Sequence, residues 1–268
     1  MPRWIIYTAL TFMTLVIYES SYAAGTLGHV MVMDPILGPR DIVYEKIDGY
    51  GVAEGDIIIQ KLPKIAESKS PQAIILLKLG GARWPQGVVP YELSDTLPLP
   101  SKLAILEAMS TWQKNTHIKF VERTDSENNE YTDYLSFVPT NGSTCSSFVG
   151  KQGGGQIVKL SPRCGTMNIA HEIGHALGLW HEQSREDRDA YIQILWENID
   201  ENYRYNFNQH LTDGQDFGDY DYQSIMHYTA YAFSKNGERT IVPLQDVEIG
   251  QRDHLSNKDI AAVNTMYP

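Results

Sequence analysis

Apolar positions recur at helical spacing in two stretches of the chain and alternate in several short ones between them. In SKLAILEAMSTWQKN, which follows Pro100, the apolar residues Ile105, Ala108, Met109 and Trp112 share one helical face, and Ser101 is expected to cap that helix. Alternation and aromatic content predict strands over Val88 to Leu93, in HIKFVE (117–122) and in YLSFV (134–138). SSFVG and QIVKL read as two more strands, separated by Gly153-Gly154-Gly155. Helical pattern resumes at Asn168. Beyond His181 the chain is rich in Asp, Asn, Tyr and Gly without a sustained period. Residues 24–75 are mixed in character, with Gly49, Gly51 and Gly55 and the linker-like PKIAESKSPQ. The pattern predicts a sheet with two helices, then a loop-rich half.

The N-terminus changes this picture. Arg3 precedes an apolar run from Trp4 to Tyr18, and Ser21-Tyr22-Ala23 offers a small-x-small cleavage site. The run falls short of the roughly 20 residues that span a bilayer. A signal peptide over residues 1–23 is therefore expected, with no stable membrane anchor and a secreted or periplasmic product. The net charge of −11, without a Lys/Arg cluster, excludes nucleic acid as the main partner. Cys145 and Cys164 are the two cysteines of the chain. In an exported protein an even count suggests a disulfide; two buried thiols are the alternative.

Candidate chemistry concentrates in HEIGHALGLWH, His171 to His181. At about 100° per residue, His175 falls roughly 40° from His171, while Ile169, Ile173, Ala176 and Leu177 fall at about 140–240°. One face is apolar and packs on a core; the other carries two histidines one turn apart. His181 would point away on a continuing helix. Gly178 resolves this, because a glycine past the helix end can turn the chain through a left-handed conformation and return His181 to the same point. Three neutral imidazoles with an open fourth position suit a catalytic zinc ion, one per chain. Glu172 can reach a water at that position. A solvated polar face is the alternative for any one of these residues alone.

H-E-x-x-H-x-x-G-x-x-H is the metzincin metallopeptidase signature, which a downstream methionine turn accompanies. SIMHY, Ser224 to Tyr228, supplies that turn. Within the metzincins the chain resembles the astacin family. Glu182 follows the third histidine, REDRD spans 185–189, and YDYQSIMHY, AFSKNG, TIVPLQ and IGQRDHLSNKDI follow in family order over residues 80–268. The resemblance implies an α+β fold of two subdomains about a cleft. Above lies a twisted, mostly parallel sheet with one antiparallel edge strand and two helices; below lies an irregular, loop-rich subdomain.

It also implies roles. His171, His175 and His181 would ligate zinc above a floor made by Met226. Glu172 would be general base and Tyr228 would support the oxyanion. Cys145 and Cys164 would form one of the family's disulfides. His227 is expected to be structural, and His29, His117, His210 and His254 are expected not to be ligands. Residues 76–268 would form the catalytic domain of a monomeric endopeptidase acting on proteins or peptides, and 24–75 a latency segment. The family's F-x-G-D switch is matched by AEGD, Ala53 to Asp56, so Asp56 would bind zinc although alanine stands where the family has phenylalanine. A cut near residues 70–80 would free an N-terminus for Glu182. The family's second disulfide and the EGF-like and CUB-type modules of some relatives have no counterpart in the sequence, which implies a minimal enzyme. A catalytically silent binding protein on the same scaffold is the alternative.

Overall fold

A computed structural model describes residues 27–34, 38–62, 82–123, 130–211 and 214–268. The expected signal peptide, the PKIAESKSPQ linker and the 70–80 activation region lie outside these residues. The leading segment forms four strands, β1 (Leu27–Asp34), β2 (Gly38–Ile47), β3 (Tyr50–Ala53) and β4 (Ile57–Lys61), each antiparallel to the next. Then follow β5 (Val88–Leu93), helix α1 (Leu99–Asn115), β6 (Lys119–Glu122), β7 (Tyr134–Pro139), β8 (Ser146–Ser147) and β9 (Gly155–Leu160). Helix α2 (Thr166–Leu177) leads into a region of short 3-10 turns. That region holds the two-stranded pair β10 (Ile192–Ile194) and β11 (Ile241–Pro243), and the chain closes with α3 (Asn257–Met266).

Strands β1 to β9 make one sheet in the order β1-β2-β3-β4-β8-β9-β7-β5-β6. From β6 to β9 every pairing is parallel, and β8 runs antiparallel to β9, as the resemblance implied. The edge at β8 is not free, because β4 pairs with it in parallel at Ile57 and Ser147. The leading segment is thus an extension of the main sheet. This differs from the mixed character expected for residues 24–75. Gly51 lies within β3, where the Tyr44 ring covers it: a Cβ there would meet Tyr44 Cδ2 at 2.8 Å.

Helix α1 starts at Leu99 rather than behind a Ser101 cap, with Pro98 at the cap position and Pro100 in the first turn. Proline suits that turn, where its missing N–H would have no partner. Strand β6 begins two residues later than HIKFVE suggests, because the His117 N–H donates to Asn264 Oδ1 of α3 instead of to the sheet. Helix α2 starts two residues before Asn168, capped at Gly165. Helix α3 is a third helix beyond the two expected, held by a reciprocal capping box between Ser256 and Asp259.

The main core lies between the parallel sheet and the helices, around Trp84, Trp112, Phe137, Ile169 and Ile173. Two tryptophans fasten α2: Trp112 Nε1 donates to Ala170 O at 2.9 Å and Trp84 Nε1 to Ala176 O at 2.8 Å. A second cluster, with Ile199, Phe207, Tyr220, Tyr228 and Ile241, fills the loop-rich half. A third joins Val30, Tyr44, Ile57 and Ile59 of the leading segment to Val149.

Candidate active site

Helix α2 places His171 and His175 one turn apart, and Gly178 ends it at φ 113°, in the left-handed region. The turn closes with Gly178 N donating to His175 O at 2.8 Å and Leu179 N to Gly174 O at 3.0 Å. His181 returns to the same point, so the three rings cluster with centroids 4.6–5.4 Å apart. All three are buried. Beneath them Met226 packs on Gly174, where a Cβ would meet its sulfur at 2.7 Å. Glycine at this position in the helix lets the methionine floor approach.

Each histidine offers one nitrogen outward and one inward. His171 Nδ1 donates to Ile225 O and His175 Nδ1 to Leu179 O, both at 2.8 Å. His181 Nδ1 donates to the Glu54 carboxylate at 2.8 Å. Carbonyl and carboxylate oxygens only accept, so each Nδ1 carries a proton, and in the neutral ring Nε2 is then the nitrogen with the lone pair. Burial, aided by Arg252, lowers the His171 pKa to about 3, and burial also lowers that of His175. His181 differs: burial opposes its charge, but Asp56 and Glu54 raise it to about 9.

The Asp56 carboxylate faces all three Nε2 atoms, at 3.3 Å from His171, 3.6 Å from His175 and 3.2 Å from His181. Asp56 Oδ1 and His181 Nε2 are buried yet form no hydrogen bond. Donors aimed at a common ion rather than at each other behave this way. Two nitrogens on one tetrahedral zinc, each at about 2.0–2.1 Å, lie roughly 3.3 Å apart; the His171 and His175 Nε2 atoms are 3.1 Å apart. The four residues bring one ligand atom each within 4.8 Å of one another. Their geometry and chemistry fit zinc.

Glu172, next to His171 on α2, is buried with Oε2 unbonded, and it lies close enough to Asp56 to feel its charge. Burial, reinforced by the Asp56 charge and opposed by Arg252, raises its pKa well above the carboxylate range. Tyr228 lies beside His181, with ring centroids 4.6 Å apart, and its hydroxyl donates to the Glu54 carbonyl. Its backbone is held by Gln183 Oε1 on the N–H and by His227 Nδ1 on the carbonyl. Tyr220 completes that support with a hydroxyl 2.7 Å from His227 Nε2. Glu182 accepts from Asp221 N at 2.7 Å beside a cavity of about 390 Å³, and burial lifts its carboxyl to about 8. Cys145 and Cys164 are joined in a disulfide at the edge of the cleft.

His29, His117 and His254 lie outside the ligand cluster; so does His210, which binds the Glu54 carboxylate. Two participants escaped the reading of residue patterns. Arg252 lies in the quoted IGQRDHLSNKDI and donates to His227 O at 3.1 Å. Glu54 precedes Gly55 and Asp56 in a turn, a setting in which acidic residues are ordinarily solvated, yet it is buried. Gly55 sits between the two carboxylates at φ 82°, with Phe233 so close that a Cβ would meet its Cζ at 2.8 Å.

A family model described as astacin, a peptidase family, matches residues 78–268. The chain belongs to the astacin family of zinc metalloendopeptidases. Zinc metalloproteinase nas-4 of Caenorhabditis elegans is 37% identical over 258 residues, covering 92% of this chain and 74% of that protein. Blastula protease 10 of Paracentrotus lividus is 42% identical over 195 residues, covering 69% of this chain and 32% of its own length. The chain spans about half, 48%, of the mouse astacin-like metalloendopeptidase. Among solved structures, high choriolytic enzyme 1, a hatching enzyme zinc-protease from Oryzias latipes, superposes with a TM-score of 0.62 at 37% identity, covering 71% of this astacin-family chain and 94% of the other.

Proposed function

We propose that the chain is the latent precursor of a secreted zinc endopeptidase. Residues 1–23 serve as export signal, 24–75 as latency segment and 76–268 as catalytic domain. The observation that carries this reading is the Asp56 carboxylate, which reaches all three ligand-edge nitrogens from a segment ahead of the matched domain. The printed names of the relatives, zinc metalloproteinases among them, support the activity. No helix among the described residues is long and apolar enough to cross a membrane.

His171, His175 and His181 would hold the zinc, which would supply a Lewis acid to polarise a peptide carbonyl and acidify water. Glu172 takes a proton from the attacking water and passes it to the leaving amine. Tyr228 donates its hydroxyl to the oxyanion that develops on the scissile carbonyl. In the precursor that hydroxyl is engaged by the Glu54 carbonyl, so the same segment occupies both the ligand edge and the oxyanion donor. Met226 supports the ligands from below. After a cut near residues 70–80, the new ammonium pairs with Glu182, a buried carboxyl beside a cavity able to admit it. Protein and peptide chains are the substrates, and the enzyme acts as a monomer.

Casein digestion by the trimmed protein tests this reading. A chelator should abolish proteolysis and added zinc should restore it. Glu172→Gln should retain one zinc per chain while losing about 10²–10⁴-fold in activity, the usual contribution of a general base. Full activity in that variant would sink the assigned mechanism.

A further inference from the structure

Asn141-Gly142-Ser143 has no part in that chemistry, and no other N-x-S/T pattern occurs in the chain. In an exported protein this pattern is the acceptor for an N-linked glycan, provided that it lies on an accessible surface loop. It falls between β7 and β8, on a bend over residues 141–144 that belongs to no helix or strand. Asn141 and Ser143 are exposed, whereas Cys145, Ser146 and Ser147 directly after them are buried. Backbone and threonine hold the bend: Thr140 N donates to Leu160 O at 3.0 Å and Gly142 N to Thr140 Oγ1 at 3.1 Å. The Asn141 carboxamide takes no share in this, and it has no hydrogen-bond partner among the described residues. A carboxamide free of the fold can be modified without leaving a buried group unpaired.

The same bend receives the leading segment. Thr140 Oγ1 donates to Asp48 Oδ2, and Lys159 Nζ of β9 donates to Asp48 O at 3.2 Å while lying 4.4 Å from the Tyr50 ring centroid. A Cβ on Gly142 would stand 3.9 Å from the Asp48 carboxylate. Asp48 and Gly49 make the β2–β3 turn, both in the left-handed region at φ 48° and 79°, and both are exposed. Exposed loop tips are preferred places for proteolytic nicking, and Lys46 just ahead of this one is exposed as well. A cut there would part β1 and β2 from the strands that carry Glu54 and Asp56. The sequon thus sits against a vulnerable point of the precursor.

We propose that Asn141 is N-glycosylated during export and that its glycan covers the β2–β3 turn of the precursor. The proposal rests on the export signal proposed for residues 1–23. In the transfer, Asn141 Nδ2 attacks the anomeric carbon of an oligosaccharide carried on a polyprenyl pyrophosphate. A C–N bond forms as the anomeric C–O bond breaks, the lipid pyrophosphate leaves with the bonding electron pair, and one amide proton passes to a base of the transferase. Ser143 supplies the hydroxyl by which the transferase reads the acceptor. The attached sugar is bulky and hydrated, and residues on both sides of Asn141 contact Asp48. It therefore stands over the turn and keeps a protease from reaching it.

The test expresses full-length precursor in cultured animal cells twice, once with its own residues 1–23 and once with a proven export signal in their place. Both secreted products should lose mass on treatment with peptide N-glycosidase. Performed in heavy-oxygen water, that treatment should convert Asn141 to a labelled aspartate. Asn141→Gln and Ser143→Ala should each abolish the mass loss, and Ser143→Thr should keep it. Secreted protein with an unmodified Asn141 overturns the site. A chain retained in the cell by its own first residues but secreted and glycosylated behind the proven signal would instead defeat the export reading and uphold the site, so the two failures are separable. For the cover, intact precursor is exposed to a low dose of trypsin and the fragments are weighed. Cutting after Lys46 should be several times faster in Asn141→Gln than in the glycosylated protein; equal rates overturn the cover. Should Asn141→Gln be secreted poorly, enzymatic removal of the glycan from folded wild type gives the same comparison.

Discussion

Gly55→Ala in the intact precursor isolates the docking of the leading segment from the chemistry of the site. Gly55 adopts φ 82°, and an added Cβ would meet Phe233 Cζ at 2.8 Å. A non-glycine residue in the left-handed region costs about 1–2 kcal/mol. Overpacking against a ring in a filled cleft costs about 1–3 kcal/mol more. The sum, about 2–5 kcal/mol, weakens docking of Glu54 and Asp56 together. At about 1.4 kcal/mol per tenfold, the open fraction should rise by roughly thirtyfold to a few thousandfold. The assay is hydrolysis of a short fluorogenic peptide by uncleaved precursor, expressed relative to trimmed enzyme. Gly237→Ala is the control: φ is 80° there but nothing lies within 4 Å of the added Cβ, so it carries strain without touching the cleft and should not leak. Leakage from Gly55→Ala within threefold of wild type would refute the reasoning, as would equal leakage from both variants.

Two further outcomes follow from groups around the site. The Cys145–Cys164 bridge closes a separation of 19 residues, worth about 3 kcal/mol in a chain-entropy account; thiol titration of denatured, unreduced protein should find no free thiol, and reduction should lower the thermal midpoint. Burial depresses the His227 pKa to about 4 from its ordinary 6.5, so between those values the unfolded chain binds more protons than the folded one. Stability should then fall as pH drops from 6.5 toward 4, and His227→Gln should flatten that slope in thermal melts; an unchanged slope would argue that His227 is not buried in its neutral form.

How much was legible depended on whether a residue's role is local. The histidine cluster was legible because a helix and one left-handed glycine determine it: His171, His175 and Gly178 act within two turns. The parallel strands were legible from alternation, although SSFVG shrank to Ser146–Ser147 because Gly150 turns away at φ 69° and donates to His175 O. The strands of the leading segment were obscured by glycines. Gly28 and Gly51 interrupt the apolar pattern because the Tyr44 ring lies over both, and that cover comes from strand pairing. Helix α3 depends on Asp259, which caps the helix while accepting from Ser224 Oγ and Ile225 N of the methionine turn. Glu54 was missed for the same reason. Its partners Ser184, Asn206 and His210 lie more than a hundred residues away, and only tertiary structure reveals that a turn glutamate is enclosed.

The most direct test of the account is the activity of uncleaved precursor carrying Asp56→Ala, compared with uncleaved wild type and with trimmed enzyme, all loaded with zinc. The account predicts a silent wild-type precursor, an Asp56→Ala precursor that hydrolyses short peptides without being cut, and loss of that activity on chelation. If the intact Asp56→Ala precursor stays as silent as wild type while the trimmed enzyme works, Asp56 is not the switch.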